Sequence, residues 1–120
     1  MLKIKLFIAV ILSVFSINVF AETAVIKCNI ADSQGMKSYR QEFDVSKNFE
    51  YGFQDRKFQE VKFKVSYSNL LKTCDTLIRD DALQVEVLGT EWANSTPKGA
   101  HSAVRLSTPK GDFILSCAIY

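Results

Sequence analysis

The chain has 120 residues, 48% hydrophobic and 23% charged, with 15 basic against 13 acidic side chains. That length holds one domain. Two of the basic residues, Lys3 and Lys5, precede residue 21, so the chain beyond it carries 13 of each sign. Without a net positive field or a basic run there, neither nucleic acid nor a membrane surface is an expected partner.

Met1-Leu2-Lys3-Ile4-Lys5, an apolar run from Leu6 to Ile17 and then Asn18-Val19-Phe20-Ala21 follow the order of a secretory signal peptide. Cleavage is predicted between Ala21 and Glu22, leaving residues 22–120 as a single exported β domain. The run is shorter than the roughly 20 apolar residues of a spanning helix, and Ser13 and Ser16 interrupt it. Cys28 lies too far beyond Ala21 for lipid attachment at the cut. The reading is a periplasmic or secreted protein of bacterial type, not inserted in a membrane once the signal is removed.

Ala24, Ile26, Cys28 and Ile30 alternate with Val25, Lys27 and Asn29, the period of a half-buried strand. Asp32-Ser33-Gln34-Gly35 supplies a turn, and a second strand from Lys37 to Val45 completes a hairpin. After Ser46-Lys47-Asn48, the residues Phe49, Tyr51 and Phe53 alternate again. Gln54-Asp55-Arg56 then turns the chain into a long strand carrying Val61, Phe63, Val65 and Tyr67 on one face. Six aromatics fall between Phe49 and Tyr67; they read first as the wall of a small core, and secondarily as a platform for a small ligand.

Leu70, Leu71, Cys74, Leu77 and Ile78 fall on a helical stripe, which predicts a short helical crossover over about 69–79. Leu83, Val85 and Val87 return to strand alternation. His101 to Ser107 gives a further strand, and Phe113 to Ile119, apolar on both parities, predicts a central strand covered on both faces. Ser95-Thr96-Pro97-Lys98-Gly99 recurs as Ser107-Thr108-Pro109-Lys110-Gly111, which predicts two turns with lysine tips. The fold class is mainly β, a small antiparallel barrel or sandwich of about seven strands with one helical crossover.

Three cysteines in an oxidising compartment predict one disulfide and one remaining thiol. Three pairings are open. Cys74 with Cys117 is preferred over the pairings with Cys28, because a cysteine on a crossover helix has more freedom to reach disulfide geometry against a central strand. The protein is then a monomer or a thiol-linked dimer.

The chain holds no G-x-S-x-G, H-E-x-x-H or C-x-x-C, and a single histidine, His101. No cofactor, metal or catalytic residue is predicted. Asp75, Asp80 and Asp81 lack the spacing of a calcium loop, and the glycosylation triplet Asn94-Ser95-Thr96 has no role in a bacterial protein. The leading expectation is a non-enzymatic binding or inhibitor module whose partner is another exported protein, with Lys98, Ser102 and Lys110 as binding residues. The alternatives are a small-ligand carrier using segment 49–67 and an envelope structural subunit.

Thr108-Pro109-Lys110-Gly111-Asp112 resembles the Thr-Lys-Gly loop of the periplasmic C-type lysozyme inhibitors, and Ser102 stands where a loop serine of that family would be. Size, export, β content and cysteines near both ends are similar as well, and the resemblance implies a Ser and a Lys on loops that enter an enzyme's acidic cleft. The chain departs from the family's pattern at Pro109 and in carrying Cys74.

Overall fold

Alternating side chains extend the chain into eight strands in the computed structural model, which describes residues 22–32, 34–92 and 97–120. They are β1 Thr23–Asp32, β2 Gly35–Asp44, β3 Phe49–Gln54, β4 Val61–Ser68, β5 Thr73–Asp80, β6 Val85–Trp92, β7 His101–Thr108 and β8 Gly111–Ile119. Two four-stranded antiparallel sheets result, in the orders β2-β1-β8-β7 and β3-β4-β5-β6. Residues 1–21, where the signal peptide is predicted, residue 33 and residues 93–96 lie outside the described residues.

The inward parities are those read from the sequence: Ala24, Ile26, Cys28 and Ile30 on β1, Val61, Phe63, Val65 and Tyr67 on β4, and Phe113, Leu115, Cys117 and Ile119 on β8 are all buried. The β8 strand is interior to its sheet, as predicted, but covered on one face only. Ile114, on its other parity, is 37% exposed.

The predicted crossover helix is a strand, and no helix occurs among the described residues. The spacing of Cys74 to Ile78 is common to both periods, since four residues make about one helical turn and also two full pleats. The difference lies in their neighbours: the inward set on β5 is Cys74, Thr76, Ile78 and Asp80, with Leu77 turned outward. Leu70 and Leu71, counted toward the helical stripe, stand in the turn before β5 at 87% and 57% exposure. That turn is fixed locally, by Leu71 N donating to Ser68 Oγ at 3.2 Å and by Lys72 at φ 54°. The β-branched Thr73, Thr76 and Ile78 favour the pleated form.

The disulfide is Cys28–Cys117, not the preferred Cys74–Cys117. The sheet order brings β1 and β8 together, and the two cysteines are Cα partners in that ladder. Cys74 lies in the other sheet, fully buried and free. Bridging a sequence separation of 89 residues contributes about 4 to 5 kcal/mol in the chain-entropy account.

The sheets close on one side and stay open on the other. On the closed side β7 packs against both β5 and β6. A Cβ at Gly89 of β6 would stand 2.7 Å from Val104 Cγ1 and 3.0 Å from both Ala103 O and Ser102 Oγ, so only glycine permits the approach. Two polar links cross here. Thr76 Oγ1 and Ser102 Oγ are 2.8 Å apart, and Lys110 Nζ donates to Asp80 Oδ2 at 2.9 Å and Glu60 Oε1 at 2.6 Å. On the open side, aromatic rings bridge β2 to the second sheet. Tyr39 stacks on Tyr51 with centroids 4.4 Å apart, and Phe43 meets Phe49 at 5.2 Å and Tyr67 at 5.4 Å.

Three outcomes test this architecture. Gly89→Val, measured by urea denaturation, lowers stability by about 1 to 3 kcal/mol through overpacking against Val104. Lys110→Met destabilises more than the double variant Asp80→Asn/Lys110→Met, because the single change leaves a buried carboxylate without its cation. Burial pushes the Asp80 carboxyl up, but the Lys110 ammonium and the Leu83 and Ala82 amides outweigh it and hold the group below its ordinary range. A depressed folded-state value means this stabilisation is present above the unfolded value of about 3.9 and lost as pH falls through the folded one. Asp80→Asn therefore flattens the acid limb of a pH–stability profile.

Candidate functional site

The residues singled out from the sequence do not form one surface. Ser102 is 5% exposed and spends its hydroxyl on Thr76. Lys110 does sit at a hairpin tip, where Thr108 and Gly111 pair across Pro109 and Lys110. Its side chain folds back over the Phe58 ring, with Nζ 5.8 Å from the centroid, to reach Asp80 and Glu60. Lys98 belongs to a loop of different shape from its sequence twin. Gly99 N donates to Ile119 O at 2.7 Å and Ala100 is buried, so that loop lies along the end of β8, and Lys98 pairs with Glu22 at 3.3 Å. Lys98 and Lys110 flank opposite ends of the eight-residue β7, about 23 Å apart at ordinary strand rise. The pair that the lysozyme-inhibitor resemblance would send into a partner's cleft, Ser102 and Lys110, is instead turned into the protein.

Two further candidates also become structural. The aromatic segment packs as core wall: Phe63 and Tyr67 are 1% exposed, while Phe49, Phe53 and Phe58 lie partly buried against the core. Cys74 is enclosed, and burial, reinforced by Asp75 and Glu91, pushes its thiol up to about 11. A thiol in that setting is neither a nucleophile at neutral pH nor a surface group for linking a dimer. Under native conditions Cys74 is expected to resist thiol-labelling reagents, with one equivalent reacting after unfolding without reductant. Labelling of the native protein at the unfolded rate would contradict its placement.

Both outer sheet faces carry ion pairs, including Arg105 with Asp112 on the β2-β1-β8-β7 face, but one row of that face has none. On the β3-β4-β5-β6 face, Lys62 pairs with Asp81 at 2.9 Å, Arg79 with Asp81 at 2.7 Å and Glu86 at 3.2 Å, and Lys64 with Glu50 at 3.9 Å. On the β2-β1-β8-β7 face, one register row runs Arg40, Lys27, Ala118, His101 across all four strands. Among the described residues, no carboxylate lies within ion-pairing distance of Lys27, Arg40 or His101. Arg40 and Lys27 are direct cross-strand partners, an arrangement that is unfavourable unless something offsets it. Lys27 Nζ lies 4.7 Å from the Tyr120 ring centroid, a partial compensation.

Beside that row the face is hollowed by small side chains. Ser38, Asn29, Ser116 and Ala118 line a depression of about 380 Å³ bordered by Lys27, Arg40 and Tyr120. Ser38 donates to Asn29 Oδ1 at 2.9 Å, which fixes the hydroxyl and amide at its base. The row spans three interstrand gaps, about 14 Å, with its two cations, Arg40 and Lys27, on adjacent strands. Its components were visible in the sequence as outward parities, Lys27 on one strand and Arg40 on the next. What the sequence does not carry is the register that sets them opposite each other, or the strand order that adds His101.

No protein-family model, no curated protein and no solved structure matches this chain.

Proposed function

We propose that the protein is an exported, non-enzymatic binding module of the periplasm or secreted fraction that docks the outer face of its β2-β1-β8-β7 sheet onto an acidic surface of another exported protein. The observation that carries the reading is the register row Arg40, Lys27, His101, in which no member has a carboxylate partner among the described residues, while neighbouring cations such as Arg105, Lys62 and Arg79 do. Acidic groups set against the row would relieve the repulsion between Lys27 and Arg40 and raise the association rate by steering. The small side chains at the base of the depression let a partner's main chain approach, and the Ser38, Asn29 and Ser116 polar groups offer it hydrogen bonds. Export is supported by the signal-like order of residues 1–21 and by the Cys28–Cys117 bond, which is consistent with an oxidising compartment.

The test is a photo-crosslinking residue in place of Ser116 in the full chain, expressed with its export segment, compared with the same protein carrying Lys27→Glu and Arg40→Glu. One acidic exported partner is expected, lost on charge reversal and lost at 1 M salt, where the Debye length is about 3 Å. With that partner purified, charge reversal slows association by about tenfold or more. A crosslink that survives charge reversal and salt, or none at all, overturns the reading.

A further inference from the structure

Each sheet ends in two edge strands, β2 and β7 in one and β3 and β6 in the other. Among the described residues, three of these edges are short or covered. β6 and β7 pack against each other on the closed side, and β3 has only six residues, with Gly52 among them. The fourth, β2, is ten residues long, and its ladder with β1 runs from Thr23↔Asp44 to Asp32↔Gly35 without a break in register. Neither a bulge nor a proline disturbs it. Alternate residues of an antiparallel ladder turn their N–H and C=O groups away from the paired strand, so half of β2 presents main-chain groups along the edge. Residues 35–38 and 40–42 are exposed. A long, unbroken edge of this kind is a template for another strand.

The side chains of β2 select which strand that is. An added strand must set outward residues opposite outward ones, because a slip of one residue would turn the inner aromatics Tyr39 and Phe43 to the outer face. Two copies of β2 related by a two-fold axis meet this condition when the axis passes through a residue. Centred on Arg40 or on Glu42, the pairing sets that charge against itself. Centred on Tyr39, it leaves every charge opposite an uncharged residue. Centred on Gln41, it places Arg40 of each copy opposite Glu42 of the other, and Tyr39 of each opposite Phe43 of the other. Opposite charges and aromatic pairs facing each other across strands both stabilise a sheet. Neither Arg40 nor Glu42 has an ion pair within its own chain among the described residues.

We propose that two copies of this chain join through their β2 edges, in antiparallel pairing centred on Gln41, so that the two β2-β1-β8-β7 sheets become one continuous sheet closed by two Arg40–Glu42 ion pairs. The inference does not rest on the acidic-partner reading: Lys27 and His101 of both copies stay uncovered on the joined outer face.

The test is sedimentation velocity of the full, disulfide-bonded protein by itself over a wide range of concentrations, where a monomer–dimer equilibrium is expected. Arg40→Glu and Glu42→Arg, both at exposed positions, each set like charges opposite one another and weaken association by about tenfold or more. The double exchange Arg40→Glu/Glu42→Arg restores both pairs and recovers the dimer. Gln41→Cys provides a second measurement. Across the axis its Cα atoms stand about 4.5 to 5.5 Å apart, within reach of a disulfide, so oxidation links two chains. Met36→Cys, exposed on the same strand but beyond the paired stretch, links far fewer. A monomer at every concentration, a dimer indifferent to the single exchanges, a double exchange no tighter than either single one, or a Gln41→Cys that links no better than Met36→Cys overturns the proposal. With no acidic partner present, these outcomes bear on the β2 edge and leave the cationic row to its own test.

Discussion

A carboxylate with no exposure to solvent ends β5, and much of the molecule is arranged to tolerate it. Asp80 cannot be left bare in the interior, since an unpaired buried charge costs more than the fold can spare. It accepts from the amides of Ala82 and Leu83, which shapes the turn into β6, and from Lys110, which reaches it from the β7–β8 hairpin. Lys110 in turn holds Glu60, and Asp81 N donates to Glu60 O. Three connections from two sheets thereby converge on one group. Hydrophobic contact alone would let the sheets slide, whereas a charge with fixed partners permits one register. Thr76 and Ser102 repeat the device deeper inside at lower strength.

These polar groups also explain where the sequence was legible. Strands whose inward positions are apolar throughout, such as β1, β4 and β8, follow from alternation. On β5 the inward set mixes Cys74 and Ile78 with Thr76 and Asp80, so the period of two is broken in hydrophobicity while intact in geometry. Leu77, outward, and Leu70 and Leu71, in the turn, then completed a false helical pattern. The two polar residues that broke the alternation have partners far away in the chain: Ser102 for Thr76, Lys110 for Asp80. Composition records that such a residue exists; only the packed sheets show what it touches. The repeated Pro-Lys-Gly segments make the same point, since one is a hairpin tip and the other lies along β8.

The candidate sites were legible in part. Outward parity marked Lys27 and Arg40, but their meeting depends on the β1–β2 register. The row crosses the outer face of its sheet from β2 to β7, whereas at the open side aromatic rings join the two sheets without closing them.

The pairing of the first strand with the last has a consequence in time. A chain made from its amino end presents Cys28 and Cys74 long before Cys117 exists, so in an oxidising space the first two thiols to meet are the wrong ones. A Cys28–Cys74 bond would tie strands that belong to different sheets and would keep β8 from its place beside β1. Thiol–disulfide exchange can still rescue such a species, provided that one sulfur remains exposed to attack. In the finished fold that route is shut, because the leftover thiol is sealed in the core. Correct oxidation therefore depends on the order of two events: β5 must bury Cys74 before an oxidant reaches it, or an exchange catalyst must undo the early bond once the last strand arrives.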